Sequence, residues 1–264
     1  MNQARKQELL RELVAALCAE RDTLPPKTDV VDELWVAFRA LVNTRPHWPA
    51  GEDFLAAQDE LLQGLIAEAG IHSTDEALAS PGNPRLRLWR GDITTLAADA
   101  IVNAANSQML GCWVPGHHCI DNAIHTYAGV QLRMACSELM EAQGHEEPVG
   151  FAKVTAAYNL PAQRIIHTVG PIASGHPTDL HRAQLSSCYE SCLEAAASEG
   201  LRSLAFCCIS TGIFGFPQRE AAEIAVRTVE SWYDRTGSSL VVVFNVFSDS
   251  DEQIYRVLLG MAAP

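Results

Sequence analysis

From Arg85 onward, short apolar segments alternate with longer segments of helical periodicity, and this alternation restricts the fold more than any other feature. Residues 204–209 and 240–244 are apolar at every position, which is typical of strands covered on both faces. Strands that alternate with helices predict an α/β sandwich around a mostly parallel or mixed sheet. The predicted strands are residues 85–89, 100–103, 151–156, 164–169, 203–209 and 240–247. The predicted helices run from about residue 119 into the 132–140 region, and over residues 180–197, 217–233 and 251–259.

Residues 1–80 are predicted to be helical, because apolar side chains recur at helical spacing in three stretches that prolines separate. This N-terminal helical extension offers no cluster of reactive side chains, so we expect it to pack against the main domain or a partner. Residues 80–84 have the composition of a linker. The sequence therefore predicts a helical extension over residues 1–80 and an α/β domain over residues 85–264.

The charge and the N-terminus of the chain restrict its partners and its location. A formal net charge of -13 disfavours nucleic-acid binding, which needs clustered Lys and Arg to neutralise phosphates. No apolar run is long enough for a membrane span, so no membrane association is expected. Because the N-terminus also lacks the apolar core of a secretory signal, we expect a cytoplasmic protein whose cysteines are reduced.

Four predicted loops follow strands on the side of the sheet where such folds bind ligands. They comprise residues 91–94, residues 103–106 with the segment that follows, residues 167–171 and residues 210–217. In the last loop, Gly212 and Gly215 allow a close approach of the backbone to a ligand, and Pro217 suits the first position of a helix. A helix N-terminus behind such a loop favours a bound diphosphate. An ordinary strand-to-helix turn is the alternative explanation of the glycines.

Cys112, His117 and Cys119 lie in one short loop after the second predicted strand. Two thiolates and an imidazole are ligands that zinc prefers, and three protein ligands leave a fourth tetrahedral position open, as in catalytic sites. His118 is the local candidate for the fourth ligand of a closed structural site. A disulfide between the two cysteines is the other alternative, and a reducing compartment disfavours it.

Asp121 stands at the start of the helix that follows this loop, two residues after Cys119. One interpretation is a helix cap, because a carboxylate accepts hydrogen bonds from the free N–H groups of the first turn. The other is a base, or a carboxylate that orients a water molecule beside a metal. His125, one helical turn further on, is expected to pack against its neighbours or to cap.

Four stretches, GDITTLAADAIVNAAN, IDNAIHTYAG, IIHTVGPI and ISTGIFGFP, resemble the signatures of MacroD-type macrodomains in order and spacing. The resemblance covers the chain from Arg85 to its C-terminus and implies a three-layer α/β/α sandwich with a mixed central sheet that binds ADP-ribose. It implies that Asp92 accepts the adenine amine, with Ile93 beside it. It also implies that Asn106 contacts the distal ribose and that Asp121 activates water. The matching pyrophosphate loop comprises Ser210, Thr211, Gly212, Ile213, Phe214 and Gly215, with Phe214 near the distal ribose.

The segment before Asp121 departs from the run of glycines that is usual in the family. Its sequence, LGCWVPGHHCID, resembles a zinc-dependent macrodomain subgroup that also has an N-terminal helical extension. This resemblance implies that Zn²⁺ is bound by Cys112, His117 and Cys119. The subgroup is associated with the removal of ADP-ribose from proteins, in microbes often beside a sirtuin-type ADP-ribosyltransferase and a lipoylated carrier protein.

The resemblance therefore implies a zinc-dependent hydrolase that removes ADP-ribose from mono-ADP-ribosylated proteins, at a linkage to an acidic side chain. Asp121, Asn106 and Cys119 are the candidate catalytic residues. The zinc either lowers the pKa of a water molecule or clamps the distal ribose, and the negative charge of two thiolates favours the clamp. The alternatives are a non-catalytic module that reads ADP-ribosylated proteins and an O-acetyl-ADP-ribose deacetylase.

Overall fold

The computed structural model describes residues 1–262, in which helices and strands follow the predicted alternation after residue 85. The helices are α1 (Gln3–Ala19), α2 (Val31–Asn43), α3 (Glu52–Ala69), α4 (Ile120–Ala128), α5 (Val130–Gln143), α6 (Asp179–Ser198), α7 (Gln218–Thr236) and α8 (Asp249–Leu258). The strands are β1 (His72–Ser73), β2 (Leu78–Ala79), β3 (Leu86–Arg90), β4 (Leu96–Ala97), β5 (Ala100–Ala105), β6 (Ala152–Ala156), β7 (Arg164–Val169), β8 (Ser203–Phe206) and β9 (Val241–Val246).

The main sheet has seven strands in the order β2-β3-β9-β8-β5-β7-β6. The five strands from β3 to β7 in this order are parallel to their neighbours, whereas β2 and β6 pair antiparallel at the two edges. Consecutive residues of a strand point to opposite faces, and Leu204, Ala205, Val242 and Val243 are all buried, as expected of central strands covered on both faces. The sheet is therefore mixed, as the sequence predicts.

Helices flank this sheet in two groups. Helix α6 packs against β6 and β7, α8 packs against β3 and β9, and α7 lies between α6 and α8. In the other group, α4 packs against β5 and α5 packs against β6. The predicted fold class, an α/β sandwich of a mixed central sheet and flanking helices preceded by N-terminal helices, is confirmed. Within residues 1–262, no helix is both long and apolar enough to cross a membrane.

The three N-terminal helices have an apolar core of their own. Leu9, Leu13, Phe38 and Leu61 are among its buried residues, and Val130 at the start of α5 belongs to the same cluster. Helix α2 also contacts α4, and α3 contacts α4. The N-terminal helices therefore pack directly on the α4–α5 side of the α/β domain.

The helical prediction is wrong for residues 72–73 and 78–79, which form β1 and β2 on either side of a turn of 3₁₀ helix over Thr74–Glu76. Strand β1 pairs with β4, and β2 adds to the edge of the main sheet beside β3. Ser80, at the start of the predicted linker, is buried, and its hydroxyl donates to the Leu259 carbonyl at 2.9 Å. Pairing with distant strands decides the conformation here, and local periodicity does not report it. Whether residues 1–80 and 85–264 are separate folding units stays a prediction.

The single helix predicted from about residue 119 is also wrong, because Gly129 divides it into α4 and α5. Gly129 has φ 98° and ψ 172°, a conformation almost restricted to glycine. The side chain of Gln58 from α3 fills the break, and its Oε1 accepts a hydrogen bond from the Val130 N–H at 3.0 Å. The chain bends because a distant helix supplies the hydrogen bond that the continuous helix would have made.

The strand predicted over residues 203–209 ends early, at Phe206. Cys207 and Ile209 are buried although they lie in the loop, so their apolar character reflects packing in the core rather than pairing in the sheet. Helix α7 begins at Gln218, and Pro217 is the residue before it rather than its first residue.

Candidate active site

The carboxyl ends of the parallel strands bring the predicted site residues to one edge of the sheet. Asp92 follows β3, residues 207–217 follow β8, and Asn106 follows β5. The strands between Asp92 and Asn106 make three steps across the sheet, about 14 Å at the usual spacing between strands. The glycine loop after β8 lies between the two ends of this row. This order matches an elongated ligand whose middle part meets the loop.

Phe247 follows β9 at the same edge of the sheet. No role was predicted for it from the sequence, because it was placed at the end of the predicted strand over residues 240–247. Its side chain is 78% exposed, and β9 is the neighbour of the strand that carries Asp92. An exposed aromatic ring beside a hydrogen-bond acceptor is suited to stack on a planar base. The signal available in the sequence was an aromatic residue directly after a buried strand.

Asp92 is exposed and begins a short turn of 3₁₀ helix over Ile93–Thr95. Its Oδ1 accepts hydrogen bonds from the backbone N–H of Thr94 at 2.9 Å and from the Thr94 hydroxyl at 2.7 Å. These bonds fix the carboxylate and leave Oδ2 for a ligand. The side chain of Ile93 is buried in the core, so Ile93 can offer a ligand only its backbone.

The loop of residues 210–216 is tightly turned, with Ser210 at φ 65° and Gly215 at φ 64°. The Phe216 N–H donates to the Ser210 carbonyl at 2.9 Å and closes the loop. Among the described residues, the backbone N–H groups of Gly212, Ile213 and Phe214 have no hydrogen-bond partner. Consecutive free N–H groups in a turn form an anion-binding concavity. The hydroxyl of Ser210 is buried, so it does not join them.

A second loop supports the first. The N–H groups of Ala173 and Ser174 both donate to the Phe214 carbonyl, at 2.8 and 3.0 Å, and the Gly175 N–H donates to the Gly215 carbonyl at 2.7 Å. These bonds satisfy the carbonyl groups of Phe214 and Gly215 in the glycine loop. The loop therefore keeps its N–H groups for a ligand without the help of Lys or Arg.

At the other end of the row, Asn103 connects a carboxylate to the core of the sheet. Its Nδ2 donates to Asp121 Oδ1 at 2.8 Å and to His167 Nδ1 at 3.1 Å. His167 Nε2 lies 2.9 Å from the Thr155 hydroxyl, which completes the hydrogen bonding of the neutral ring. All four side chains are buried. Asn103 and His167 carry no predicted role, because a buried polar residue inside an apolar strand gives no motif of its own.

Asp121 does not cap helix α4. Cys119 is the N-cap residue, and its Sγ accepts the Asn122 N–H at 3.4 Å. The Asp121 carboxylate instead lies between Asn103 and Asn106, whose Nδ2 is 3.4 Å from Asp121 Oδ2 and also donates to the Gly111 carbonyl at 3.1 Å. The structure thus brings together Asn106 and Asp121, two of the three candidate catalytic residues.

Burial raises the pKa of Asp121 to about 6, while the hydrogen bond from Asn103 and the positive charge of Arg133 act in the opposite direction. His125 Nε2 lies 3.6 Å from Asp121 Oδ1. Burial also lowers the pKa of His125 well below its usual value, so this ring is neutral. Its two nitrogens have no hydrogen-bond partner among the described residues. His125 therefore packs beneath the carboxylate, as expected, without forming an ion pair.

The donor atoms of Cys112, His117 and Cys119 all lie within 4.8 Å of one another. Cys112 Sγ is 3.5 Å from His117 Nδ1, and tetrahedral zinc with ordinary bond lengths separates a sulfur from a nitrogen ligand by about 3.5 Å. His118 is exposed and lies outside the cluster. Within residues 1–262, no fourth His, Cys, Asp or Glu joins this group. The three residues therefore fit a zinc ion with one open position.

The thiols of the cluster are not joined. All eight cysteines of the chain are free, including Cys112 and Cys119. Burial, followed by the charges of Cys112 and Asp121, raises the pKa of Cys119 to about 11. A second buried group of His125, Cys136 and His167 lies beneath Asp121, but both ring nitrogens of His167 already have polar neighbours.

Comparison with known proteins agrees with this geometry. Residues 102–225 match the family described as Macro domain. A protein-ADP-ribose hydrolase of Treponema medium is 52% identical over 234 residues, which make up 88% of this chain and 90% of that protein. A variant of the Oceanobacillus iheyensis macrodomain with ADPR is 39% identical and superposes with a TM-score of 0.61, over 66% of this chain and 91% of that one.

The Trypanosoma brucei macrodomain in complex with ADP-ribose is 26% identical, with a TM-score of 0.65. It covers 84% of this chain, and this chain covers 95% of it. The matched part is larger than residues 85–264 alone, so the structural similarity extends into residues 1–84.

The buried histidines make the stability of the fold depend on pH. Burial lowers the pKa of His167 to about 3 from the usual 6.5. Below pH 6.5 the His167 ring therefore binds a proton in the unfolded chain but not in the folded protein. The free energy of unfolding falls as the pH is lowered from 6.5 to about 3. Between pH 7.5 and 5.5 this group should lower the free energy of unfolding by about 1 kcal/mol. Urea denaturation at a series of pH values measures the loss.

A matched variant isolates this contribution. His167→Gln keeps an acceptor for Asn103 and a donor for Thr155 but cannot take up a proton in this range. Its loss of stability between the two pH values should be smaller than that of the wild type by about 1 kcal/mol. The control is His176→Gln at an exposed position, which should follow the wild-type curve. Equal pH dependence in wild type and His167→Gln would contradict the assignment.

Proposed function

The chain belongs to the Macro domain family, and on this premise we propose that it is a hydrolase that removes ADP-ribose from mono-ADP-ribosylated proteins. The observation that carries the proposal is the 52% identity to a protein-ADP-ribose hydrolase over 88% of this chain. That match includes the helical extension as well as the α/β domain, because residues 85–264 are too few to account for it. Buried Asp121 and half-buried Asn106 supply reactive groups at the site edge.

The row of groups along the sheet edge supports ADP-ribose as the ligand. Asp92 accepts the adenine amine, and the exposed ring of Phe247 stacks on the base. The free N–H groups of Gly212, Ile213 and Phe214 hold the diphosphate, helped by the positive end of the α7 dipole. This arrangement explains how a chain with a net charge of -13 binds a dianion: backbone dipoles replace basic side chains. The distal ribose then lies toward Asn106.

At the distal ribose, Asp121 orients or deprotonates the water molecule that attacks C1″. The bond between C1″ and the oxygen of the modified side chain breaks, a new bond to the water oxygen forms, and the protein carboxylate leaves. Asn103 keeps the Asp121 carboxylate aimed at the site, and Asn106 holds a ribose hydroxyl. The raised pKa of Asp121 makes its carboxylate a stronger base than an exposed aspartate. The acidic linkage is part of the proposal and rests on the sequence resemblance.

Zn²⁺ is the proposed cofactor, with Cys112, His117 and Cys119 as its ligands. The distance between Cys112 and His117 and the soft donor set support it. When bound, zinc supplies Lewis-acid polarisation of a ribose, ester or water oxygen at its open position. Cys119 serves the reaction through this ligation. The cluster precedes Asp121 directly in the chain, so a ligand at the distal ribose subsite approaches both.

Three narrower expectations stay predictions: the MacroD-type zinc subgroup, a lipoylated carrier protein as a partner, and a cytoplasmic location. The main rival activity is a non-catalytic reader of ADP-ribosylated proteins. A buried carboxylate in contact with Asn106 favours the hydrolase, because binding alone does not require the cost of burying Asp121. Deacetylation of O-acetyl-ADP-ribose would use the same subsites and is a further substrate to assay.

Two variants separate catalysis from binding. Asp121→Asn keeps the acceptor for Asn103 but removes the base, so release of ADP-ribose from a mono-ADP-ribosylated protein should fall about 10²-fold or more. Its affinity for free ADP-ribose should stay near that of the wild type. Asp92→Ala should instead weaken ADP-ribose binding about tenfold, through loss of one charged hydrogen bond. Calorimetry and a label-release assay measure the two effects. A wild type that binds ADP-ribose but leaves the label in place would contradict the hydrolase and favour the reader.

Metal analysis tests the cofactor independently. The purified wild type should hold about one zinc per chain, since the three donors complete one tetrahedral site with one open position. Cys112→Ala and His117→Ala should lose it, and His118→Ala should keep it as a matched control, because His118 is exposed outside the cluster. Retention of zinc in the His117 variant would contradict the ligand assignment.

A further inference from the structure

We propose that helix α2 of the N-terminal extension is part of the active site, because Arg39 and Asn43 hold the Cys112–Cys119 loop in the conformation that binds zinc. Both are positioning residues, and the N-terminal helices are then more than a packing surface. The inference rests on the proposed zinc site. It predicts that the zinc affinity depends on Arg39 and Asn43 as well as on the three ligands.

The two side chains hold the backbone on either side of the histidine ligand. Asn43 Oδ1 accepts a hydrogen bond from the Gly116 N–H at 2.9 Å. Arg39 Nη2 donates to the His117 carbonyl at 3.2 Å. The loop itself contributes a turn in which the His117 N–H donates to the Val114 carbonyl at 3.2 Å. The orientation of the imidazole thus depends on a helix that precedes it by some seventy residues in the chain.

Arg39 also reaches the second cysteine ligand through Asn122. The same Nη2 donates to Asn122 Oδ1 at 2.9 Å. The Asn122 N–H donates to Cys119 Sγ, and Asn122 Nδ2 donates to the Val114 carbonyl at 3.2 Å. One guanidinium therefore fixes the residue that connects the loop, the sulfur ligand and the start of α4.

The end of α2 is itself anchored, so it can act as a rigid support. Arg133 donates to the carbonyls of Val42 and Asn43, each at 3.0 Å, which satisfies the last turn of α2. Its Nε donates to the Leu110 carbonyl at 2.7 Å, just before the first ligand, and its guanidinium lies 4.2 Å from the centre of the Trp113 ring. Arg133 thereby joins the end of α2 to the start of the metal loop.

Asn43 is held by hydrogen bonds on two sides in this arrangement. Its side chain is buried, and its Nδ2 donates to the Thr126 hydroxyl at 3.0 Å on helix α4. The amide is therefore oriented by α4 on one side and presents its oxygen to the loop on the other. Groups that orient metal ligands through hydrogen bonds commonly change metal affinity by 10–100-fold when they are removed.

The test is the zinc affinity of full-length variants, measured by competition with a chromophoric chelator. Arg39→Met and Asn43→Leu keep most of the side-chain volume and remove the hydrogen bonds to the loop. Each should bind zinc about 10-fold more weakly than the wild type or worse. Their affinity for ADP, a probe of the adenine and diphosphate subsites, should not change.

The control is Arg21→Met, in the turn that follows α1 of the same N-terminal extension. Arg21 donates to the Leu17 and Leu41 carbonyls, at 3.0 and 2.7 Å, and does not contact the loop. Arg21→Met should lower the melting temperature about as much as Arg39→Met and Asn43→Leu do, and it should keep the zinc affinity of the wild type. Circular dichroism confirms that each variant is folded at the temperature of the titration.

Each outcome is decisive. Selective loss of zinc affinity in the Arg39 and Asn43 variants supports the inference. Unchanged affinity in both, or an equal loss in Arg21→Met, overturns it and leaves the proposed function intact. A wild type that binds no zinc overturns the proposed cofactor and this inference together.

Discussion

The hydrogen bond from Asn103 to Asp121 is the contact on which the geometry of the site depends. Asp121 is only 5% exposed, and a carboxylate at that depth is costly unless a donor meets it. Asn103 lies in β5, an interior strand of the sheet, and its amide is held by His167 from the neighbouring β7. The position of the carboxylate is therefore set by two paired strands, and the Cys112–Cys119 loop only has to bring its ligands toward it.

The same principle explains how the acidic chain accommodates an anionic ligand. The glycine loop offers three free N–H groups because a neighbouring loop satisfies its carbonyls. Fixed backbone dipoles of this kind bind a diphosphate without basic side chains. At the opposite end of the row, Asp121, Cys112 and Cys119 are acidic groups that lie close together in the chain. In the proposed function, the positive charge of zinc offsets their negative charge. The hydrogen bonds from α2 then determine how well the zinc ligands are held.

Much of this arrangement was predictable from the sequence. The alternation after Arg85 predicts the mixed sheet, and the loops after its strands do meet at one edge. The local spacing of Cys112, His117 and Cys119 predicts a cluster that the structure contains, while the residue roles stay predictions. The predictions that were wrong depend on contacts that local sequence patterns do not report. Gln58 divides a predicted helix at Gly129, and strand pairing replaces helix at residues 72–73 and 78–79. Arg39 and Asn43 were missed for the same reason, since ordinary helical residues acquire a role only through what lies opposite them in space.

X-ray absorption at the zinc edge, recorded before and after addition of ADP-ribose, tests whether a zinc ion is bound beside the distal ribose. We expect two sulfur ligands at about 2.3 Å and two nitrogen or oxygen ligands at about 2.0 Å, one of them from solvent. Addition of ADP-ribose should change the oxygen shell and leave the sulfur shell as it was. A protein without bound zinc, or a zinc spectrum that ADP-ribose does not alter at saturation, would contradict a metal that acts at the distal ribose.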